Sequence, residues 1–402
     1  MSQTFVIQQV NGLIAEGHDV SVASMYEGDL SLWDNALLAK NNLKNKTNFL
    51  LPNEIRTNNK IKHIIQIMLG MIKLLFTRPS AFMFILFNVY KVVASGGLLF
   101  LNELISITKT NKSIDNSTSI IAHFGDIGVL AGLLAKTKAI SNNIFTVFHG
   151  YEISEFKALK EWTLWYVWLA QHSTKLLPIS ELWASKLREL GIASSKIEVV
   201  HMGINLNDFT FDPHTNQTET FNLLSVARAV EKKGLTYSLE GAELSNTSFT
   251  YNIIGGGPLT PNLEKQISNY KNKNNFVFHG PKSSQFVAQQ LKASDIFVLT
   301  SVTSETGDME GIPVSLMEAM ASGVIVLSTY HSGIPELIEN GKTGFLVDER
   351  DAQAIGIMIE NIVNHPNLEL IRKQAFAKVN DEFNQAKINI QLSNIIETET
   401  AN

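Results

Sequence analysis

From Phe221 onward, short runs of apolar and β-branched residues alternate with longer stretches whose apolar positions recur at helical spacing. Phe221–Val226, Phe249–Ile254, Asn275–His279, Asp295–Leu299 and Val324–Ser328 read as strands. Leu235–Leu244, Thr260–Lys271, Ser284–Ala293 and Pro313–Ala321 read as the helices between them. Strands apolar nearly throughout, alternating with amphipathic helices, predict a parallel sheet covered on both faces. The first half follows the same scheme less regularly, with strands expected at Asp19–Ser24, Ser119–Phe124, Ile144–Phe148, Lys175–Ile179 and Ile197–Val200. A strongly apolar helical insert from about residue 54 to residue 110 interrupts it. The polar stretch Gly203–Thr218, containing Asp212-Pro213, reads as the linker. Ligands of such sheets bind beyond the carboxyl ends of the strands, so two domains of this kind facing one another put the ligand in the cleft between them.

Composition narrows the picture. A chain of 402 residues suits two domains, and 45% hydrophobic residues can fill their cores. The net charge of −5 gives no support to a nucleic-acid partner, and with no cysteine there is neither a disulfide nor a thiolate nucleophile or ligand. The first residues lack the basic region and apolar core of a secretory signal. In the insert, Ile61–Phe76 and Ala81–Ile107 are apolar but broken by Lys73, Arg78-Pro79, Asn88, Lys91 and Gly96-Gly97, short of the roughly 20 uninterrupted residues a span needs. Buried or interfacial helices are favoured over a transmembrane one. Lys60, Lys62, Lys73, Arg78 and Lys91 among Phe, Leu and Met would suit an anionic membrane surface. An ordinary helical layer is the alternative, and the sequence does not separate the two.

Candidate chemistry collects at expected strand ends. His149-Gly150 follows the run Ile144–Phe148, which puts His149 at the rim of its sheet. Arg228 follows Phe221–Val226, and Glu231-Lys232-Lys233-Gly234 leads into the next helix; an Arg and a Lys at that edge could neutralise a diphosphate. Gly255-Gly256-Gly257-Pro258 closes a third strand with a loop that a ligand could approach closely, although it is not the G-x-G-x-x-G fingerprint. Thr329–Glu336 follows a fourth. Most informative is Gly307–Gly323, where Glu310 and Glu318 stand on either side of Pro313. Proline suits a first helical position, so Glu310 falls in the loop and Glu318 more than one turn inside the helix. The N–H groups of the helix start lie between them, ready for a phosphate. Two carboxylates beside such a site suit a sugar nucleotide; read alone, they are equally a loop Glu and a surface helix Glu. There is no Asp-x-Asp, no metal-ligand spacing, no Walker A and no Gly-x-Ser-x-Gly.

These residues together resemble the GT-B glycosyltransferases of the large retaining family 4, and more narrowly the enzymes of colanic-acid and amylovoran assembly. Glu310…Glu318 matches that family's E-x7-E. Further matches are Phe148–Ser154, Leu177–Trp183, His201–Asn205, Val226-Ala227-Arg228 with Glu231–Gly234, and Ser328–Leu337. The resemblance spans nearly the whole chain. It implies two Rossmann-like, doubly wound α/β domains facing across a cleft: residues 1–205 on the acceptor side with the insert 54–110, residues 206–380 for the donor, and residues 381–402 as a C-terminal helix that crosses back through Ile388–Thr398. By the same resemblance Arg228 and Lys233 bind the donor diphosphate, Glu318 the ribose hydroxyls and Glu310 the transferred hexose, with His149 reaching the sugar from the first domain. His149 and Glu310 are then the catalytic candidates, and Gly256, Gly311, Ile312 and Pro313 complete the donor set.

The implied reaction is retaining transfer of a hexose from a UDP- or GDP-sugar to a glycan acceptor. It needs neither metal nor cofactor, and the acceptor is lipid-linked at the inner face of the cytoplasmic membrane, in exopolysaccharide, capsule or lipopolysaccharide biosynthesis. The sequence departs from the family pattern twice. Asn205 stands where Asp is usual after Gly-Ile. Thr4–Glu16 already reads as a helix closed by Gly17, so the first strand and its loop are expected to be missing, by a late start or a truncation. An inactive remnant that binds a sugar nucleotide is therefore one alternative, and a GT-B sugar-nucleotide epimerase another.

Overall fold

A computed structural model describes residues 4–27, 41–110, 118–212 and 220–401. The C-terminal half is built on strands β6 (Phe221–Val226), β7 (Phe249–Ile254), β8 (Phe276–Gly280), β9 (Ile296–Leu299), β10 (Ile325–Thr329) and β11 (Phe345–Val347). All pairings are parallel, in the order β11-β10-β9-β6-β7-β8. Successive residues of these strands enter different cores: Leu224, Phe297, Leu299 and Val326 join one cluster, and Leu223, Ile296, Val298, Ile325 and Leu327 the other. That alternation is why the strand runs are largely apolar, since both faces are covered. β11 escaped the hydrophobic pattern because three residues between Gly344 and Asp348 are too short to show one.

The N-terminal half carries β3 (Ile120–His123), β4 (Ile144–Phe148) and β5 (Lys175–Pro178) as one parallel ladder, with β1 (Val22–Ser24) and β2 (Thr47–Phe49) as a separate one. The expected strand Ile197–Val200 is not formed: only Ile197 bridges to Leu176. Glu198 and Val200 donate to the carbonyls of Leu176 and Pro178, but Pro178 has no N–H to return on that edge, so no ladder propagates. Other boundaries shift slightly. The helix expected over Thr260–Lys271 ends at Ser268, and Pro313 is the extended residue before helix Val314–Ala321, not its first turn.

The insert is an antiparallel helix pair, Lys60–Thr77 and Pro79–Thr110, the second kinked at Gly97 (φ 71°). Helix Thr4–Ala15 is closed by Gly17 at φ 96° and packs against the last helix, Gln385–Ala401. Ile388, Leu392 and Ile395 of that last helix are buried in the N-terminal core. The chain passes between the halves twice, side by side: Ile204 N–H donates to the Phe383 carbonyl at 3.0 Å and Gln385 N–H to Ile204 at 2.9 Å. Residues 203–212 thus form an ordered crossing with a 3-10 turn at Leu206–Asp208, while the rest of the expected linker, 213–218, lies outside the described residues.

Candidate active site

Strand order reverses between β6 and β9, which makes their carboxyl ends the switch point of the C-terminal sheet. The loop after β6 brings Lys233 there, and the loop after β9 brings Glu310. Their approach depends on Gly234, which sits at φ 62° where a Cβ would fall 1.8 Å from the Thr300 carbonyl. Lys233 Nζ lies 2.7 Å from Glu310 Oε2. That oxygen has no well-aligned hydrogen bond, so the contact is an ion pair whose acceptor is free to take a better donor. Beside it Lys232 Nζ meets Asp308 at 3.0 Å. Burial pushes the Glu310 carboxyl up, but Lys233 and Lys232 outweigh it and hold the group below its usual range.

The backbone of Glu310 is held from behind. Its N–H donates to His331 Nε2 at 3.0 Å, and His331 Nδ1 lies 2.6 Å from Glu349. Because a backbone N–H can only donate, Nε2 must accept, and the ring proton belongs on Nδ1 facing the carboxylate. His331 is fully buried, and burial keeps it neutral despite Glu349. Glu349 in turn accepts Thr303 N–H at 2.8 Å. In the sequence His331 stood out only as part of the strand-end loop Thr329–Glu336, and Glu349 did not stand out at all.

The other donor-side residues surround this pair. Arg228 is exposed and without a carboxylate partner among the described residues. It adjoins the glycine loop, where Ala229 N–H donates to the Gly256 carbonyl at 3.1 Å. A Cβ at Gly256 would make only ordinary contacts, with Pro281 at 3.5 Å and Thr260 at 4.0 Å, whereas Gly255 (φ 126°) and Gly257 lie against the carbonyls of Ala227 and Ala229. Gly255 and Gly257 therefore shape the loop, and Gly256 is its open position. Gly311, Ile312 and Pro313 are buried and lead into the helix Val314–Ala321. Glu318 stands inside that helix with no hydrogen bond or ion pair to Glu310, Arg228 or Lys233. Burial, with the Asp208 charge, pushes it up to about 7.

The opposite wall is neutral and aromatic. His149 follows β4; its N–H donates to Glu152 at 2.7 Å and its Nε2 lies 3.1 Å from His123 Nδ1. Phe124 and Phe5 pack on its ring at centroid distances of 4.5 and 4.7 Å. Burial takes His123 down to about 4 and His149 well below its ordinary value. Phe124 is held at φ 76°, a conformation that costs a non-glycine residue about 1–3 kcal/mol. Asp126 follows at the start of the next helix, with burial pushing its carboxyl up. His123, Phe124 and Asp126 were missed in the sequence, yet His123-Phe124-Gly125 after β3 repeats the strand, His, Gly order around His149.

The walls touch. A Cβ at Gly311 would come within 3.3 Å of the His149 carbonyl, and one at Gly307 within 2.6 Å of the Phe156 ring. Met309 N–H donates to Ser154 at 3.2 Å. Glu336, from the C-terminal half, accepts Glu181 and Leu182 N–H at 3.0 and 3.2 Å and pairs with His201 at 3.1 Å. It thereby caps the N-terminus of helix Glu181–Glu189 in the other half.

The profile of the family described as glycosyl transferases group 1 matches residues 207–378. A Salmonella typhimurium protein assigned to colanic acid biosynthesis as the glycosyltransferase WcaL is 35% identical over 404 residues, covering 99% of this chain and 97% of its own. The amylovoran biosynthesis glycosyltransferase AmsK of Erwinia amylovora is 36% identical over 400 residues, 98% of this chain and 96% of its own. The crystal structure of Anabaena HepE in complex with UDP superposes with a TM-score of 0.64 over 74% of this chain and 84% of its own. At 18% identity that likeness is one of fold.

Proposed function

The chain belongs to the glycosyltransferases of exopolysaccharide biosynthesis, on a GT-B fold, and from that premise we propose that it transfers a hexose, with retention, from a UDP- or GDP-sugar to a lipid-linked glycan. The observation that carries this reading is the switch-point cluster: Lys233 paired with Glu310, Lys232 beside them, and Arg228 unpaired at the same sheet edge. Cations at this edge suit a diphosphate, and the adjoining helix start adds backbone N–H groups. HepE, of the same fold, is a UDP-binding protein in its crystal structure.

In the proposed reaction the acceptor hydroxyl oxygen bonds to the anomeric carbon on the face that the diphosphate leaves. The carbon–phosphate oxygen bond breaks, its electrons stay with the nucleoside diphosphate, and the leaving phosphate oxygen takes the acceptor's proton. Arg228 and Lys233 stabilise the charge that develops there, which is why no divalent cation is required. When Lys233 turns to phosphate, Glu310 exchanges it for the sugar hydroxyls. His149, neutral at physiological pH, offers the hexose a hydrogen bond and not a charge. Glu318, unpartnered and one helix turn deeper, receives the ribose hydroxyls.

A panel of UDP- and GDP-sugars, titrated calorimetrically and then assayed for transfer to extracted lipid-linked glycans, tests the reading. Arg228→Ala is expected to weaken donor binding at least tenfold and slow transfer further, and Glu318→Ala to weaken binding. Unchanged donor affinity in both variants, or isomerised donor without any acceptor, overturns it.

A further inference from the structure

Among the described residues a long unpartnered apolar surface lies far in sequence from this chemistry, on the helix pair of the insert. Helix Lys60–Thr77 has two apolar faces. His63, Ile67, Gly70 and Leu74 turn inward, Leu74 and Ile67 joining the N-terminal core. On the other side Ile61, Ile65, Met68, Leu69, Ile72 and Phe76 are exposed at i, i+4, i+7, i+8, i+11 and i+15, Phe76 to 80%. The neighbouring helix repeats this: Met83, Leu86, Phe87 and Tyr90 follow one another at helical spacing, with Phe87 76% and Tyr90 83% exposed. The bare area is on the order of 1,000 Å², against the few hundred Å² that a soluble monomer ordinarily leaves uncovered.

The charge on these helices is one-sided. Residues 60–91 hold five cations, Lys60, Lys62, Lys73, Arg78 and Lys91, and no Asp or Glu, in a chain of net charge −5. None of the five has a carboxylate partner among the described residues. This pattern selects the occupant. A second copy meeting the first about a twofold axis would set the same five cations against one another. A bilayer surface of anionic lipid neutralises all five while the apolar stripe enters the headgroup boundary.

The arrangement also favours a face that would lie on a membrane over a helix that crosses it. Pro79–Lys109 is apolar and long enough to span. Past the Gly97 kink, however, Leu101, Leu104 and Ile105 are core residues of the N-terminal domain. Asn102 is buried against Gln66 at 2.7 Å, and Glu103 takes the Tyr26 hydroxyl at 2.6 Å. Before the kink Ala81, Ile85 and Val92 are buried, and only the outward face of that half is uncovered.

We propose that the outward face of Lys60–Lys91 docks this protein on anionic phospholipid. The proposal stands apart from the transferase reading, so the test uses vesicles that contain no glycolipid. The full chain is sedimented with phosphatidylcholine vesicles, with or without about one-third phosphatidylglycerol. Binding is expected at least tenfold tighter to the anionic vesicles and weaker in high salt. The triple variant Phe76→Ser/Phe87→Ser/Tyr90→Ser should lose it. The quadruple Lys60→Gln/Lys62→Gln/Lys73→Gln/Lys91→Gln should bind both vesicle types alike and weakly. All these side chains are exposed, so thermal unfolding and donor binding should match wild type. Equal binding to neutral vesicles, or binding untouched by either variant, overturns the proposal. So does a lipid-free dimer that the triple variant splits, with no vesicle binding in wild type: the face would then belong to a second copy.

Discussion

The two walls of the cleft are cut from the same kind of sheet and finished with opposite chemistry. On the C-terminal wall six strands form one continuous ladder, and its strand-end loops hold two ion pairs, Lys233 to Glu310 and Lys232 to Asp308, with the neutral His331 hydrogen-bonded to Glu349 behind them. On the N-terminal wall the strands fall into ladders of two and three, and the strand ends carry His123 and His149, both kept neutral by burial among aromatic rings. In the proposed reaction a diphosphate brings the same charge in every turnover, so fixed cations with temporary counter-ions would serve it. The proposed acceptor hydroxyl brings no charge, so a wall of neutral donors and acceptors would serve it without holding a salt bridge that would have to be broken.

The contrast breaks most severely at Lys233. Lys233→Ala removes the cation proposed to meet phosphate and leaves the largely buried Glu310 carboxylate without its principal counter-charge. We expect kcat/KM to fall by about 10²–10³, or roughly 3–4 kcal/mol of transition-state stabilisation. Burial would then raise Glu310 unopposed except by Lys232, so the pH–rate profile should gain an acidic limb shifted toward neutrality. The double variant Lys233→Ala/Glu310→Gln should recover stability and not activity. A single variant with wild-type kinetics would mean that the C-terminal wall is no more specialised than its partner.

The walls are joined by Glu336, and there the comparison can be sharpened. Burial pushes its carboxyl up, but His201 and the Glu181 and Leu182 N–H groups bring it below its usual range. A depressed carboxylate contributes stability above its unfolded pKa of about 4.3, and that contribution is lost as pH falls through the lower folded value. The carboxylate's own contribution to closure should therefore be constant from about pH 5 to 8 and weaken only in stronger acid. Glu336→Gln keeps one acceptor oxygen but loses the charge facing the helix terminus, a loss of about 1–2 kcal/mol. Small-angle scattering should show a more open chain, and kcat should fall several-fold with each half still folded. An unchanged scattering profile would assign closure to the covalent crossings alone.

Much of the donor wall was legible because its elements obey one rule each. Strands buried on both faces are largely apolar, so β6, β7 and β9 were read to within a residue, and every loop after them falls on one edge. Glu310, Lys233 and Arg228 could be picked out because they stand in those loops. What escaped was long-range. Nothing local in Glu349 says that it will orient His331, eighteen positions earlier, nor in Glu336 that it will cap a helix 155 residues away. The failed strand Ile197–Val200 was apolar enough to pair; what stopped it was a missing N–H on the neighbouring strand, at Pro178.

The smallest effect separates the two glutamates that open the donor site. Glu310 has cations beside it and is held low; Glu318 has only Asp208 and is pushed up to about 7. Between its unfolded pKa of about 4.3 and that value the folded chain keeps a proton that the unfolded chain releases. Stability from this group is thus highest in mild acid, declines as pH rises toward 7 and is flat beyond. Glu318→Gln removes the penalty, and after allowance for its partial exposure the variant should exceed wild type by about 1–3 kcal/mol at pH 8 and match it near pH 4 to 5. Urea melts of both chains at the two pH values measure this. If ribose hydroxyls donate to the carboxylate, the donor selects the ionised form, so wild-type affinity should climb with pH up to about 7 while the Gln variant stays level and weak. An equal stability difference at both pH values would mean that Glu318 is not held protonated, and the wall would then be charged throughout.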